Sequence, residues 1–334
     1  MLKNRTVIVL GAGASAEVGL PVGAGLAESI AKLVHFENNL PAFAEQADFQ
    51  VHLQNNCQRR GEIVVYHMDA GREIARGIES ARSIDRYIDR FHDDQFVRDT
   101  GKAAIVHCLL KAEAESKLAR WPQKPHALKG TWYQELEHIL FDGLRRRDVA
   151  KVFHNLIIVC FNYDRCVEQF LINSLKRSFS LEHEESEKLV NENLTVMRPY
   201  GGLGRLKSGL SKDGLDFGQQ TDVPNVFVLG RRIRTFTEQI EGGAVDVIKS
   251  AIEEAQTLIF LGFGFHQSNL SLLRPIANNP NVDRIFASVK GLSAPLQREL
   301  IDKLMPFLRR TVTRVLWQPS TALASMCCPN TAVW

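Results

Sequence analysis

Residues 6–21, TVIVLGAGASAEVGLP, decide the fold. TVIVL (6–10) is a short aliphatic run with no polar alternation, the pattern of a parallel strand covered on both faces. It leads straight into Gly11-Ala12-Gly13-Ala14-Ser15, and Gly19-Leu20-Pro21 closes a second bend. A glycine turn between a strand and a helix points backbone N–H groups at an anion, and the helix dipole adds to the attraction. Gly11 permits the tight turn, Gly13 lets a phosphate or ribose approach the backbone, and Ser15 offers a hydroxyl. The usual dinucleotide fingerprint has a third Gly where this chain has Ala16, and an acid about 20 residues further on at the next strand. No strand-like run follows here. The phosphate loop of nucleotide triphosphatases is excluded, because no Gly-Lys-Ser/Thr follows. A glycine turn that serves packing alone is the plain alternative.

Working outward, LIIVCF (156–161), NVFVLG (225–230) and TLIFLGFG (257–264) are further runs of the buried-strand kind. RIFASV (284–289) is a fifth candidate, and TVTRVLW (311–317) reads as an edge strand. Helical patterns lie between them at Gly25 to Val34, Cys166 to Leu175 and Val245 to Ala255. This alternation predicts an α/β fold with a doubly wound, Rossmann-like parallel sheet. Residues 36–150 lack strong strand runs, and Ile74, Ile78, Ile84 and Ile88 stay near one helical face. They read as a mainly helical insertion within a single domain spanning 1–334. Segment 180–193, SLEHEESEKLVNEN, reads as a solvated helix or loop, and 201–222 as a mobile surface loop.

The 334 residues are 45% hydrophobic and 24% charged, which excludes a disordered or fibrous chain. No run approaches the ~20 apolar residues of a membrane helix, and the N-terminus lacks the pattern of a signal peptide, so a cytoplasmic protein with no membrane partner is expected. Forty-one basic residues against 38 acids leave a net charge of +3, which does not indicate nucleic acid. The six cysteines, Cys57, Cys108, Cys160, Cys166, Cys327 and Cys328, form no CxxC pair, so no zinc module and no metal site is expected. Such scattered thiols read as small buried hydrophobes.

Four segments, in order, resemble the sirtuin-like (silent information regulator-like) NAD-binding family: GAGASAEVGLP, SIDRYID (83–89), CFNYDRCVE (160–168) and LGFGFHQSN (261–269). The resemblance implies NAD, or an ADP-ribose derivative, as substrate or ligand. It places Gly11, Ala12, Gly13, Ser15, Pro21, Asn162, Asp164, Gly262 and Gly264 at the cofactor-binding site. Asn162 stands where the family has the Asn needed for chemistry at the nicotinamide–ribose bond, just beyond a buried strand where open α/β sheets bind ligands. Asp164 reads as a helix cap.

The chain departs from the family at MRPYGGLGRL (197–206), where Tyr200 precedes Gly201 in place of a general-base His. Tyr, with an ordinary pKa near ~10, is a poor base at neutral pH. The catalytic candidates are therefore Asn162, Tyr200 and His266. The missing cysteine tetrad, and Pro21-Val22-Gly23-Ala24 in place of Pro-x-Phe-Arg, weigh against a protein deacylase. Both departures resemble bacterial sirtuin-like proteins of antiphage defence that deplete NAD. The expected function is an NADase that releases nicotinamide and ADP-ribose, controlled by homo-oligomerisation or a separate defence partner subunit. The rival reading is an inactive NAD or ADP-ribose sensor.

Overall fold

In the computed structural model the described residues are 2–309, except 82, 122–123, 208–213, 221–224, 236–237, 239–241, 277–279 and 291, with backbone alone at 125, 242 and 315–318. Cys327 and Cys328 lie outside them. The chain opens with β1 (Thr6–Leu10) and α1 (Ala12–Ala16). Helices α2 (Gly23–Val34), α3 (Ala44–Arg60), α4 (Val64–Gly77), α5 (Ile84–Arg90), α6 (Gln95–Glu115), α7 (Lys117–Arg120) and α8 (Trp132–Phe141) follow. Next come β2 (Leu156–Cys160), α9 (Cys166–Phe179), α10 (His183–Asn193), β3 (Thr195–Met197), α11 (Val226–Gly230) and α12 (Gly242–Glu254). The chain then forms β4 (Thr257–Leu261), α13 (Gln267–Leu273), β5 (Arg284–Ser288), α14 (Ala294–Leu304) and β6 (Val315–Gln318). Among the described residues no helix is long and apolar enough to cross a membrane.

The six strands form one parallel sheet in the order β3-β2-β1-β4-β5-β6. The α/β class and the Rossmann-like parallel sheet are as the sequence predicts. Ile8 sits in register between Ile158 and Ile259. Alternate side chains serve opposite faces: Ile8, Leu10, Ile158 and Leu261 join one core, and Val7, Val9, Leu258 and Phe260 another. All five β1 residues are buried, as a central strand covered on both sides requires. The chain leaves β1 for β2 and β3 on one side and returns to β4 on the other. The strand order therefore reverses between β1 and β4, and the crevice beyond their carboxyl ends is where such sheets bind ligands.

Among their described residues, 36–150 form helices joined by turns, with no strand, and they divide between two cores. Phe49, Leu53, Ile74, Ile88 and Ile105 pack with Ile30 of α2 and Phe227 of α11 in a third core of their own. Leu118, Trp132, Leu136 and Leu140 join the sheet instead. NVFVLG is the clearest difference from expectation: its residues form α11, not a strand. Asn225 Oδ1 accepts from the Phe227 amide (2.9 Å), starting a helix whose buried Val226, Phe227 and Leu229 face the helical core. A short apolar run fits a buried helix as well as a strand, and packing decides between them. Within segment 180–193, His183–Asn193 form the helix α10. Segment 201–222, read as a free loop, is tethered where it is described, for Leu206 and Leu215 are buried and bridge each other.

Candidate functional site

Beyond the carboxyl ends of β1, β2 and β4 lies a cavity of about 350 Å³. The sheet side contributes Gly11, Ala12, Ser15, Asn162, Asp164, Gly262 and Gly264; Leu20, Pro21, Gly23 and Leu26 add the entry to α2. The helical side contributes Ser83, Asp85 and Arg86, and Tyr200, His266 and Asn269 close the remainder. Every site residue named from the sequence lines this cavity except Gly13.

Gly13 is turned into the fold. Its amide donates to the Gly262 carbonyl (3.0 Å), and a Cβ there would stand 2.8 Å from Gly262 Cα. Gly11 is equally tight, with its amide on the Leu261 carbonyl (3.0 Å). Gly262 returns the fit at φ 56, where a Cβ would meet the Ala14 nitrogen at 2.0 Å. The glycines thus lock the β1 turn to the β4 turn, and ligand approach through Gly13 is not what this turn provides. The helix N-terminus that faces the cavity is that of α2. Its N-terminus carries no side-chain cap and no acid in the first turn, and Gly23 and Leu26 of that turn line the cavity together with Arg86 of α5.

Asn162 follows β2 and is 8% exposed. Its Nδ2 donates to the Gly11 carbonyl (2.9 Å) and to Ser15 Oγ (2.9 Å). A carbonyl can only accept, so the amide orientation is fixed: Nδ2 faces the fold, and Oδ1 is left as an acceptor on the cavity wall. Ser15 Oγ passes the chain on by donating to Asp164 Oδ2 (2.7 Å), and Asp164 Oδ1 accepts from the Cys166 amide (3.0 Å) at the start of α9. Asp164 thus takes the first amide of α9 from the position before the N-cap, Arg165, and also anchors Ser15. The loop is pinned by Arg165 and Glu113 of α6, both fully buried. Arg165 donates to Glu113 and to the carbonyls of Leu215 (2.7 Å) and Asp216 (3.1 Å), and Glu113 also takes the Gly218 amide (3.0 Å).

Tyr200 is almost fully buried, and its hydroxyl donates to Asn269 Oδ1 (2.8 Å). Burial and the nearby Asp85 charge push it up to about 12, so it is a donor at neutral pH and never a base. His266 is exposed at the rim, where its ring lies against Gly264 immediately before α13. The Cys108 and Cys160 thiols, both pushed up to about 12 by burial, are inert hydrophobes.

Asp85, on α5, is the group for which the sequence reading gave no role. Its Oδ1 accepts from the Tyr163 hydroxyl at 2.6 Å, and enclosure by the protein raises its carboxyl above the usual Asp range. Tyr163 sits next to Asn162 and also reaches the Arg234 carbonyl (3.1 Å), so the acid of the helical wall and the amide of the sheet wall share one loop. The one available signal was SIDRYID itself, in which Ser83 caps α5 through the Arg86 amide and so places Asp85 in the first turn.

Comparison with protein-family models gave no match, and comparison with curated proteins gave no significant one.

Proposed function

We propose that the protein cleaves NAD at the nicotinamide–ribose bond, releasing nicotinamide and ADP-ribose, as a controlled effector of bacterial defence. The observation that carries the reading is Asn162: both hydrogens of its amide are committed to the fold, and Oδ1 alone is presented to the cavity. A fixed acceptor of this kind orients a ribose hydroxyl or a water without reorganising during the reaction. The N-terminus of α2 with Arg86 suits the pyrophosphate, and Phe161 and Phe263 offer apolar surface to a flat ring.

The leaving nicotinamide is a stable neutral molecule, so its departure needs no acid. Positive charge gathers on the ribose as the bond breaks, and of the two carboxylates on the cavity wall Asp85 is the one not tied to Ser15 and the Cys166 amide, and so the one to stabilise it. Water then adds to the anomeric carbon, and its proton passes to Asp85 or to solvent. Tyr200 takes a positioning role through Asn269, because its hydroxyl holds its proton. Control by self-association or by a separate partner subunit belongs to the same proposal.

The test is nicotinamide release by the purified protein. Asn162→Ala is expected to lower turnover by about a hundredfold to a thousandfold, with NAD affinity changed only slightly, because the phosphates are held elsewhere. Wild-type turnover in that variant overturns the site. A wild-type protein that binds NAD yet releases no nicotinamide in any assembled state replaces this reading with that of a sensor.

A further inference from the structure

At the junction of α3 and α4, away from the cavity, Cys57, Glu62 and His67 converge. Their ligand atoms all lie within 4.8 Å of one another, and none of the three lines the cavity beyond β1, β2 and β4. The local fold explains the meeting. Cys57 occupies the last turn of α3, and Gly61 ends that helix in the left-handed region at φ 66. The Glu62 amide then closes back on the Cys57 carbonyl (3.0 Å). The chain reverses over this turn, and His67 comes from the first turns of α4. The resulting spacing, C-x4-E-x4-H, contains no CxxC pair and so escapes a search for cysteine tetrads.

We propose that Cys57, Glu62 and His67 form a zinc site that staples α3 to α4. Thiolate, carboxylate and imidazole together make a borderline-soft donor set suited to this ion, with water as the fourth ligand. Zinc takes its ligands at about 2.0–2.3 Å, so tetrahedral donors sit about 3.3–3.6 Å apart. His67 Nε2 and Glu62 Oε2 are already 3.1 Å apart, and Cys57 Sγ lies within 4.8 Å of both.

The surroundings orient each donor. His67 Nδ1 is 2.9 Å from Thr100 Oγ1, and a proton on that nitrogen leaves Nε2 free to ligate. The other oxygen of Glu62 is held by Arg60 Nε (2.8 Å). The imidazole is 1% exposed and meets the rings of Phe96 and Phe227 edge to face, at 5.0 and 5.3 Å between centroids. These contacts hold the imidazole in one orientation, as a ligating histidine requires. The staple would hold the helical body whose α5 carries Asp85.

The measurement is a cobalt titration of the full-length protein, freed of any histidine tag and of chelator. The Cys327→Ser/Cys328→Ser background removes the adjacent C-terminal thiols. One equivalent of cobalt is expected to give a thiolate-to-cobalt charge-transfer band together with tetrahedral visible bands, both displaced by zinc. In the same background Cys57→Ser abolishes the charge-transfer band, and Thr100→Val weakens cobalt binding by about tenfold through the imidazole it orients. Absence of the bands overturns the proposal, because His67 then only donates to Glu62 in a metal-free hydrogen bond. Persistence of the charge-transfer band in Cys57→Ser also overturns it. The titration of unsubstituted Cys57 stands on its own should the Ser variant fail to fold. Nicotinamide release plays no part in the readout, so failure here leaves the NADase reading intact, and the reverse holds too.

Discussion

The cavity has two walls of different kinds. On the sheet wall, Gly11, Ser15, Asn162 and Asp164 hydrogen-bond to one another, and the Asp164 carboxylate is met by the Ser15 hydroxyl and the Cys166 amide. Only Asn162 Oδ1 is left over. On the helical wall, Asp85 has one side-chain hydrogen-bond partner among the described residues, Tyr163, and its enclosure outweighs the nearby Lys102 charge. The first wall is a rigid, self-satisfied template; the second holds a group whose cost is tolerated by the fold around it. Strain of this sort gathers where chemistry is done. A cleaving site needs both: a fixed acceptor to position the ribose, and an unneutralised carboxylate to meet developing charge.

The strongest way to break the arrangement is to cut the tie between the walls. Glu113 belongs to α6 and Arg165 to the loop after Asn162, and their ion pair is completely buried. Glu113→Gln keeps the shape but leaves the guanidinium uncompensated, which costs about 3–5 kcal/mol in such settings. Urea denaturation is expected to show that loss. A variant within 1 kcal/mol (about the error of the method) of wild type shows that Arg165 finds other compensation.

Next in size is Asp85→Asn, which separates the two walls by function. The variant keeps an acceptor for the Tyr163 hydroxyl and removes the charge. Turnover is expected to fall by about a hundredfold, the lower end of what a positioned acid–base group contributes. Stability moves the other way. The folded carboxyl holds its proton more tightly than the unfolded one, so its stabilising contribution is full below the unfolded value near ~3.9 and is lost as pH rises through the raised folded value. At neutral pH the wild type carries the penalty of an enclosed charge, and Asp85→Asn is expected to melt higher. That advantage shrinks toward pH ~4, where both side chains are neutral. The acid limb of the wild-type rate profile is expected above the ordinary Asp range for the same reason. A variant that melts lower at neutral pH, or retains full turnover, assigns Asp85 to the scaffold.

The same contrast explains what could be read from the sequence. Buried parallel strands announce themselves as unbroken aliphatic runs, so β1, β2, β4 and β5 were legible, and Asn162 stood out by the family resemblance together with its place after one of them. NVFVLG carried the same local signal and became α11, because its partner surface is the helical core and nothing nearby in the chain encodes that. Gly13 was read as the point of ligand approach, but what approaches it is Gly262, just past the end of β4. Asp85 was hidden for a similar cause. A carboxylate in a charged helix segment looks solvated until Tyr163, 78 residues away, encloses it. The metal-ligand triad depended on a helix reversal at Gly61 that no cysteine count detects.

The smallest effect sharpens the division of labour within the site. Tyr200 stands where the resemblance leads one to expect a general base. Its hydroxyl is held on Asn269 Oδ1 at 2.8 Å, and its pKa is pushed up to about 12. Tyr200→Phe therefore removes one neutral hydrogen bond and leaves Asn269 to be oriented by water. A bond of that type contributes about 0.5–1.5 kcal/mol, so turnover is expected to fall by less than about tenfold. The ring remains against Phe161, at 5.7 Å between centroids, which preserves the cavity wall. Neither side chain titrates near neutrality, so the two proteins are expected to share one pH–rate profile, displaced in height alone. A loss as large as that from Asp85→Asn, or a changed profile, makes Tyr200 a proton carrier and moves the chemistry from the helical wall to the segment between β3 and α11.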